Sequence, residues 1–191
     1  MAQEQIKNTR LVVIGGSSGS LEVIMKLLPM LKADFAIPVV IVMHRNTTAD
    51  SALAELLASR TKLKVKEAED KDMMEPGSIY LAPPDYHLLI EADATLSLDA
   101  SERVHYCRPS IDVSFMSAAV AYKENVQAIL LSGANADGAA GVATIREAGG
   151  HTIVQEPAEA GVPYMPEQAI MTNAVDKIMP WSEMVEWLNK L

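Results

Sequence analysis

The sequence has 191 residues, 49% of them hydrophobic, long enough for a single domain spanning residues 1–191 with a substantial core. Its 16 Lys and Arg against 25 Asp and Glu give a net charge of −9, which opposes generic binding to nucleic acid or to an anionic membrane surface. No stretch approaches the ~20 apolar residues of a membrane span, residues 1–10 lack a secretory signal's apolar segment, and Cys107 is the single cysteine, so a soluble cytoplasmic protein without a disulfide or cysteine metal cluster is expected.

Leu11 to Ile14 reads as a first strand running directly into Gly15-Gly16-Ser17-Ser18-Gly19-Ser20. Leu21, Ile24, Met25, Leu28 and Leu31 then recur at helical spacing and stop before Pro38. Val39 to Met43 is a continuous apolar run, as in a strand buried on both faces, and a helix from about Asp50 to Ser59 follows. Arg60, Lys62, Lys64 and Lys66 interleave with Leu63 and Val65, which reads as the solvated face of a strand rather than a basic patch. Up to Leu98 the pattern is of short β stretches broken by Pro76-Gly77, Pro83-Pro84 and Asp93-Ala94, and an antiparallel hairpin over Tyr86 to Leu98 is expected at the sheet edge.

Pro109-Ser110 opens a helix that ends near Lys123, with Ser110 as N-cap and Asp112 in its first turn. Val126 to Leu131 is a buried strand, Gly138 to Ala148 a helix, Thr152 to Val154 a strand, and Pro166–Met171 and Trp181–Leu191 are helices. The alternation predicts an α/β fold, a doubly wound, mostly parallel sheet flanked by helices.

Ligands of open α/β sheets collect at the carboxyl ends of the strands. Ser17 follows the first strand, His44 ends the second, and Asp137 lies just beyond Leu131. A serine becomes nucleophilic when imidazole takes its proton, and a carboxylate on the far ring nitrogen fixes the tautomer and stabilises the imidazolium. Main-chain N–H groups near Ser18 and in the Gly133 to Ala136 turn could hold the resulting oxyanion. Each residue also has a structural alternative: Ser17 as a helix cap, His44 as a strand-end histidine bonded to a carbonyl, and Asp137 as the cap before Gly138. His87, His105 and His151 lack metal-ligand spacing and read as structural, so a zinc site is not expected.

In these segments the chain resembles the catalytic domain of the chemotaxis receptor methylesterase (CheB) family, over about residues 10–180. The family's Ile-Gly-Ala-Ser-Thr-Gly-Gly turn is similar to Ile14 to Ser20, its strand-end histidine to His44, and its Tyr-x-Ala-Pro and His-Leu to Tyr80 to Pro83 and His87-Leu88. Its Arg-Pro-Ser-x-Asp matches Arg108 to Asp112, its Leu-Thr-Gly-Met-Gly-x-Asp-Gly matches Leu131 to Gly138, and its Met-Pro-x-x-Ala-Ile matches Met165 to Ile170. Departures are Arg45-Asn46 for Met-Pro, Ser20 for glycine, and Ala134-Asn135 for Met-Gly.

The resemblance implies a Ser17, His44 and Asp137 triad, with Ser18 and Ala134 at the oxyanion and substrate. It implies hydrolysis of glutamate methyl esters on a chemoreceptor, with glutamine deamidation by the same chemistry, and no cofactor. Family members commonly carry an N-terminal phosphoacceptor domain. The first strand here begins at Leu11, so a free-standing catalytic domain is expected, Met1 favouring that over a fragment. One alternative is a binding or signalling module with a relict triad. Another is an NAD(P)-dependent reductase, although Leu21 stands where the last glycine of that fingerprint falls and no tyrosine has a lysine four residues later.

Overall fold

The computed structural model describes residues 10–45 and 52–191. In chain order the strands are β1 (Leu11–Gly16), β2 (Val39–Met43), β3 (Lys64–Glu67), β4 (Ser78–Leu81), β5 (His87–Ile90), β6 (Leu96–Asp99), β7 (Val126–Leu130), β8 (His151–Gln155) and β9 (Lys177–Met179). The α-helices are α1 (Ser20–Leu27), α2 (Leu53–Ala58), α3 (Ile111–Tyr122), α4 (Ala139–Glu147), α5 (Tyr164–Met171) and α6 (Trp181–Leu188).

Seven strands form one parallel sheet in the order β3-β4-β2-β1-β7-β8-β9. β1 is central, with β2, β4 and β3 on one side and β7, β8 and β9 on the other, the doubly wound arrangement that the alternating pattern predicts. Every residue of β1, β2 and β7 is buried, which explains the continuous apolar run of β2 and leaves Gln127 of β7 as a buried polar side chain.

Successive side chains of a strand point to opposite faces, and the core divides accordingly. Leu11, Val13, Val40, Val42 and Leu130 pack with Phe115, Val142, Met165 and the hairpin residues Leu88, Ile90 and Leu96. Val12, Ile14, Val39, Ile41 and Met43 pack on the other face with Ile24, Leu27, Leu57, Met184 and Leu188. Burying one such side chain stabilises the fold by about 1.5–3 kcal/mol.

The hairpin forms as expected but does not hydrogen-bond to the large sheet. β5 and β6 make a separate two-stranded antiparallel sheet, tied to α3 by the Ser114 hydroxyl donating to the Leu88 carbonyl at 2.7 Å and by the Ser117 hydroxyl accepting from the Ile90 N–H at 3.0 Å. The edge strands of the large sheet are β3 and β9; along β3 Lys64 pairs with Glu75 and Lys66 with Asp72 while Leu63 and Val65 turn inward. α2 is described only from Leu53, so its expected start at Asp50 lies outside the described residues.

Candidate active site

Three neighbouring strands deliver the three residues. β1 lies between β2 and β7, so the chain leaving β1 at Ser17 is flanked by His44, just past β2, and by the loop past β7 that carries Asp137. This is the switch point of the sheet, where a crevice opens because the chain departs in two directions.

The Ser17 turn is held close to the sheet by small residues. A Cβ on Gly16 would stand 2.5 Å from the Ser20 Cβ, so only glycine lets α1 begin this soon after β1. Gly19 caps α1 with φ 85°, a left-handed conformation that glycine adopts without strain. The main chain of Ser17 is tied on both sides. Its N–H donates to the Ser132 carbonyl at 2.9 Å, and its carbonyl accepts from the Ser20 hydroxyl at 2.6 Å.

The structure brings Ser17, His44 and Asp137 into one hydrogen-bonded chain. Ser17 Oγ lies 3.0 Å from His44 Nδ1, and His44 Nε2 lies 2.6 Å from Asp137 Oδ2. Asp137 accepts only, so Nε2 carries the proton toward it and Nδ1 presents its lone pair to the Ser17 hydroxyl. The strand-end alternative for His44, in which a carbonyl satisfies the ring, does not describe this geometry.

Asp137 is fully buried and its oxygens accept four hydrogen bonds. Besides His44, these come from the Ser110 hydroxyl at 2.8 Å, the Ile111 N–H at 2.7 Å and the Asp112 N–H at 3.0 Å. Burial alone would raise the carboxyl's pKa, but the bonds from His44, Asp112, Ile111 and Ser110 outweigh it and hold the group below its ordinary range. The N-terminal end of α3 therefore faces the carboxylate, where its dipole favours negative charge. Asp137 thus bonds His44 and the start of α3, while α4 is capped by Gly138 with no side-chain bond.

Ser18 and Ala134 are both exposed, beside Ser17 and beyond Gly133 respectively. Among the described residues their main-chain N–H groups have no hydrogen-bond partner. The two loops are locked together by Ser132, whose hydroxyl donates to the Ser18 carbonyl at 2.7 Å and accepts from the Val162 N–H at 2.8 Å.

Several neighbours are absent from the sequence-level expectation. Ser110 is foreseen as a cap but not as a donor to Asp137, and Ser132, though within the Leu131 to Gly138 motif, is not foreseen as the tie to Ser18 and Val162. Asp112 Oδ1 accepts from the Gly138 and Gly141 N–H groups at 2.9 and 2.7 Å, while its Oδ2 lies 3.3 Å from His105 Nε2. Burial, reinforced by the nearby Asp137 charge, raises its pKa despite those bonds. The Cys107 thiol, whose sulfur lies within 4.8 Å of the His44 and Asp137 ligand atoms, is likewise pushed up by burial and by Asp137. His87 is buried with both ring nitrogens bonded, to the Glu102 carbonyl and the Ser110 N–H, in keeping with a structural role.

Comparison with known proteins agrees with this architecture. The family model described as CheB methylesterase matches residues 12–188. A Leptospira interrogans protein provisionally named protein-glutamate methylesterase/protein-glutamine glutaminase is 40% identical over 184 residues, covering 96% of this chain and 95% of its own. The protein-glutamate methylesterase FrzG of Myxococcus xanthus is 33% identical over 94% of this chain, which spans 55% of that protein. The crystal structure of the Thermotoga maritima CheB methylesterase catalytic domain superposes with a TM-score of 0.91 at 32% identity, covering 95% of this chain and 98% of that one. The chain belongs to the CheB methylesterase family.

Proposed function

We propose that the protein hydrolyses glutamate methyl esters on the cytoplasmic helical region of a chemoreceptor, with residues 1–191 acting as one catalytic domain. Ser17 Oγ attacks the ester carbonyl as His44 Nδ1 takes its proton. The oxyanion of the tetrahedral intermediate is held by the main-chain N–H groups of Ser18 and Ala134. Asp137 stabilises the imidazolium through Nε2–H. Collapse of the intermediate breaks the bond to the methoxy oxygen, which leaves as methanol with the proton from His44. Water, deprotonated by the same nitrogen, then attacks the acyl-serine and releases the glutamate carboxylate and Ser17. A glutamine side chain would follow the same route with ammonia as the leaving group.

The observation that carries this reading is the unbroken hydrogen-bond chain from Ser17 Oγ through His44 to the buried Asp137. The donors around Asp137 support it, because they keep the carboxylate charged where burial would otherwise neutralise it. The exposed positions of Ser18 and Ala134 fit a side chain presented from the surface of a protein helix.

The test is methanol release from a methyl-esterified receptor fragment, alongside labelling by an active-serine phosphonate. Wild type should release methanol and take up the probe, and Ser17→Ala should do neither. Labelling without methanol release would point to a different ester. Neither labelling nor turnover in wild type would favour a binding module with a relict triad.

A further inference from the structure

Beside His44 opens a cavity of about 210 Å³ lined by His44, Arg45, Arg103, Tyr106, Cys107 and Arg108. Among the described residues three arginines line it and no carboxylate does, a local concentration of arginine on a chain whose net charge is −9. They reach it from separate segments, Arg45 from the end of β2 and the other two from the loop before α3.

Their partners differ. The Arg45 side chain is 2% exposed and donates through Nη1 to Glu67 at 2.9 Å and to the Ala82 carbonyl at 3.1 Å. With its charge paired to Glu67, it shapes the wall rather than reaching for a ligand. Arg108 donates through Nη1 to the carbonyls of Ala100 and Ser101 at 2.7 and 2.6 Å, and its Nε is buried without a partner among the described residues. Carbonyl oxygens satisfy donors without cancelling charge, so Arg108 leaves the cavity wall positive. Arg103 is 59% exposed and lies 3.6 Å from Asp85, itself 42% exposed, a loose pair that an incoming carboxylate can displace. Tyr106, 94% exposed, stands at the same rim.

We propose that this cavity is a carboxylate subsite that takes an acidic side chain flanking the reacting glutamate of the protein substrate. Arg103 closes on the carboxylate from the solvent side, and Arg108 faces it from the wall. A planar guanidinium binds a carboxylate through two parallel N–H donors, which suits a site that must fix the position of an adjacent residue as well as attract it. The subsite gives an acidic protein a local means of holding an acidic substrate segment. The inference rests on reading Ser17 and His44 as the reacting pair.

The test separates the two readings by measuring binding apart from turnover. Two peptides each carry one glutamate methyl ester, flanked by glutamates in one and by serines in the other, and their binding to Ser17→Ala is read by fluorescence anisotropy. The acidic peptide should bind roughly tenfold more tightly. Raising the ionic strength from about 0.1 M to about 1 M, which shortens the screening length from roughly 10 to 3 Å, should erode that preference. Adding Arg103→Gln should bring it below about threefold, Arg103→Lys should restore part of it, and Arg103→Glu should reverse it.

Equal binding of both peptides, no measurable binding of the acidic one, or a preference untouched by Arg103→Gln and Arg103→Glu would each overturn the subsite. Methyl-ester turnover by the protein with Ser17 intact is followed in parallel. Turnover without an Arg103-dependent preference removes the subsite and leaves the esterase reading, whereas preference without turnover does the reverse.

Discussion

The Ser110 hydroxyl donates to Asp137 Oδ1 at 2.8 Å across 27 residues of sequence, while the same oxygen accepts the Val113 N–H that caps α3. One buried hydroxyl thereby joins the start of a helix to the carboxylate behind His44. Ser110→Ala should destabilise the fold by about 1–2 kcal/mol, the sum of a lost cap and a donor withdrawn from a buried carboxylate. Turnover should fall roughly threefold to tenfold through kcat as Asp137 loses one of its anchors. Thermal unfolding and steady-state methanol release measure the two effects.

Removing a member of the Ser17–His44–Asp137 chain should cost far more. Ser17→Ala or His44→Ala should lower turnover by roughly 10³-fold to 10⁶-fold. In Asp137→Asn one amide face must meet donors from Ser110, Ile111, Asp112 or His44, so the carboxamide cannot satisfy all four. The imidazole then loses its fixed tautomer, and a drop of about 10⁴-fold is expected. Wild-type hydrolysis rates in any of these variants would sink the mechanism.

The two buried aspartates should leave opposite marks on stability against pH. Asp137 has a lowered folded pKa, so its contribution is present above the ordinary aspartate range and is lost as pH falls through the folded value. Asp112 has a raised folded pKa, so its ionisation costs stability as pH rises from the ordinary value of 3.8 through the folded one. Asp112→Asn keeps an oxygen for the Gly138 and Gly141 N–H groups and removes a like charge beside Asp137. Its melting temperature should match or exceed that of wild type at neutral pH, with the gain shrinking toward acid. Asp137→Asn should be less stable than wild type at neutral pH and converge with it in acid. Melting curves across the acid range decide both.

Residues announced by local signals were legible in the sequence. Ser17 sits in a small-residue turn, His44 at the end of an apolar run, and Asp137 in a glycine-bounded loop, each at a strand end where chain geometry alone places it on the rim. β9 was not legible because Lys177–Met179 has only three residues and buries only one of them. The hairpin's pairing could be read from its alternation, but its docking on α3 depends on Ser114 and Ser117, whose role is fixed by tertiary contact. The same holds for the ring of donors around Asp137 and for the arginine cavity. Each joins one short segment, 110–112 for the donors and 103–108 for the cavity, to residues 25 or more positions away, and no periodicity links the distant partners.

Ser132 is the point at which the two loops around Ser17 are held in register. Its hydroxyl bonds the Ser18 carbonyl and the Val162 N–H, its N–H donates to Gln155 at 2.9 Å, and its carbonyl accepts the Ser17 N–H. Ser132→Ala should deprive the exposed Ser18 carbonyl and the half-buried Val162 N–H of their hydroxyl partner, costing about 0.5–1.5 kcal/mol of stability. It should also slow phosphonate labelling of Ser17, because the Ser18 N–H is no longer fixed. Gly19→Ala attacks the same contact from the other side: its Cβ would lie 2.8 Å from Ser132 Oγ and 3.3 Å from the Gly161 Cα, at a φ of 85° that costs alanine about 1–2 kcal/mol. The strain in φ persists whatever residue 132 is, but the clash with its hydroxyl does not. The double variant should therefore lose less activity than the two single losses combined, by a coupling of about 0.5–1 kcal/mol. Strictly additive losses in labelling rate would mean that Gly19 and Ser132 do not act through their shared contact.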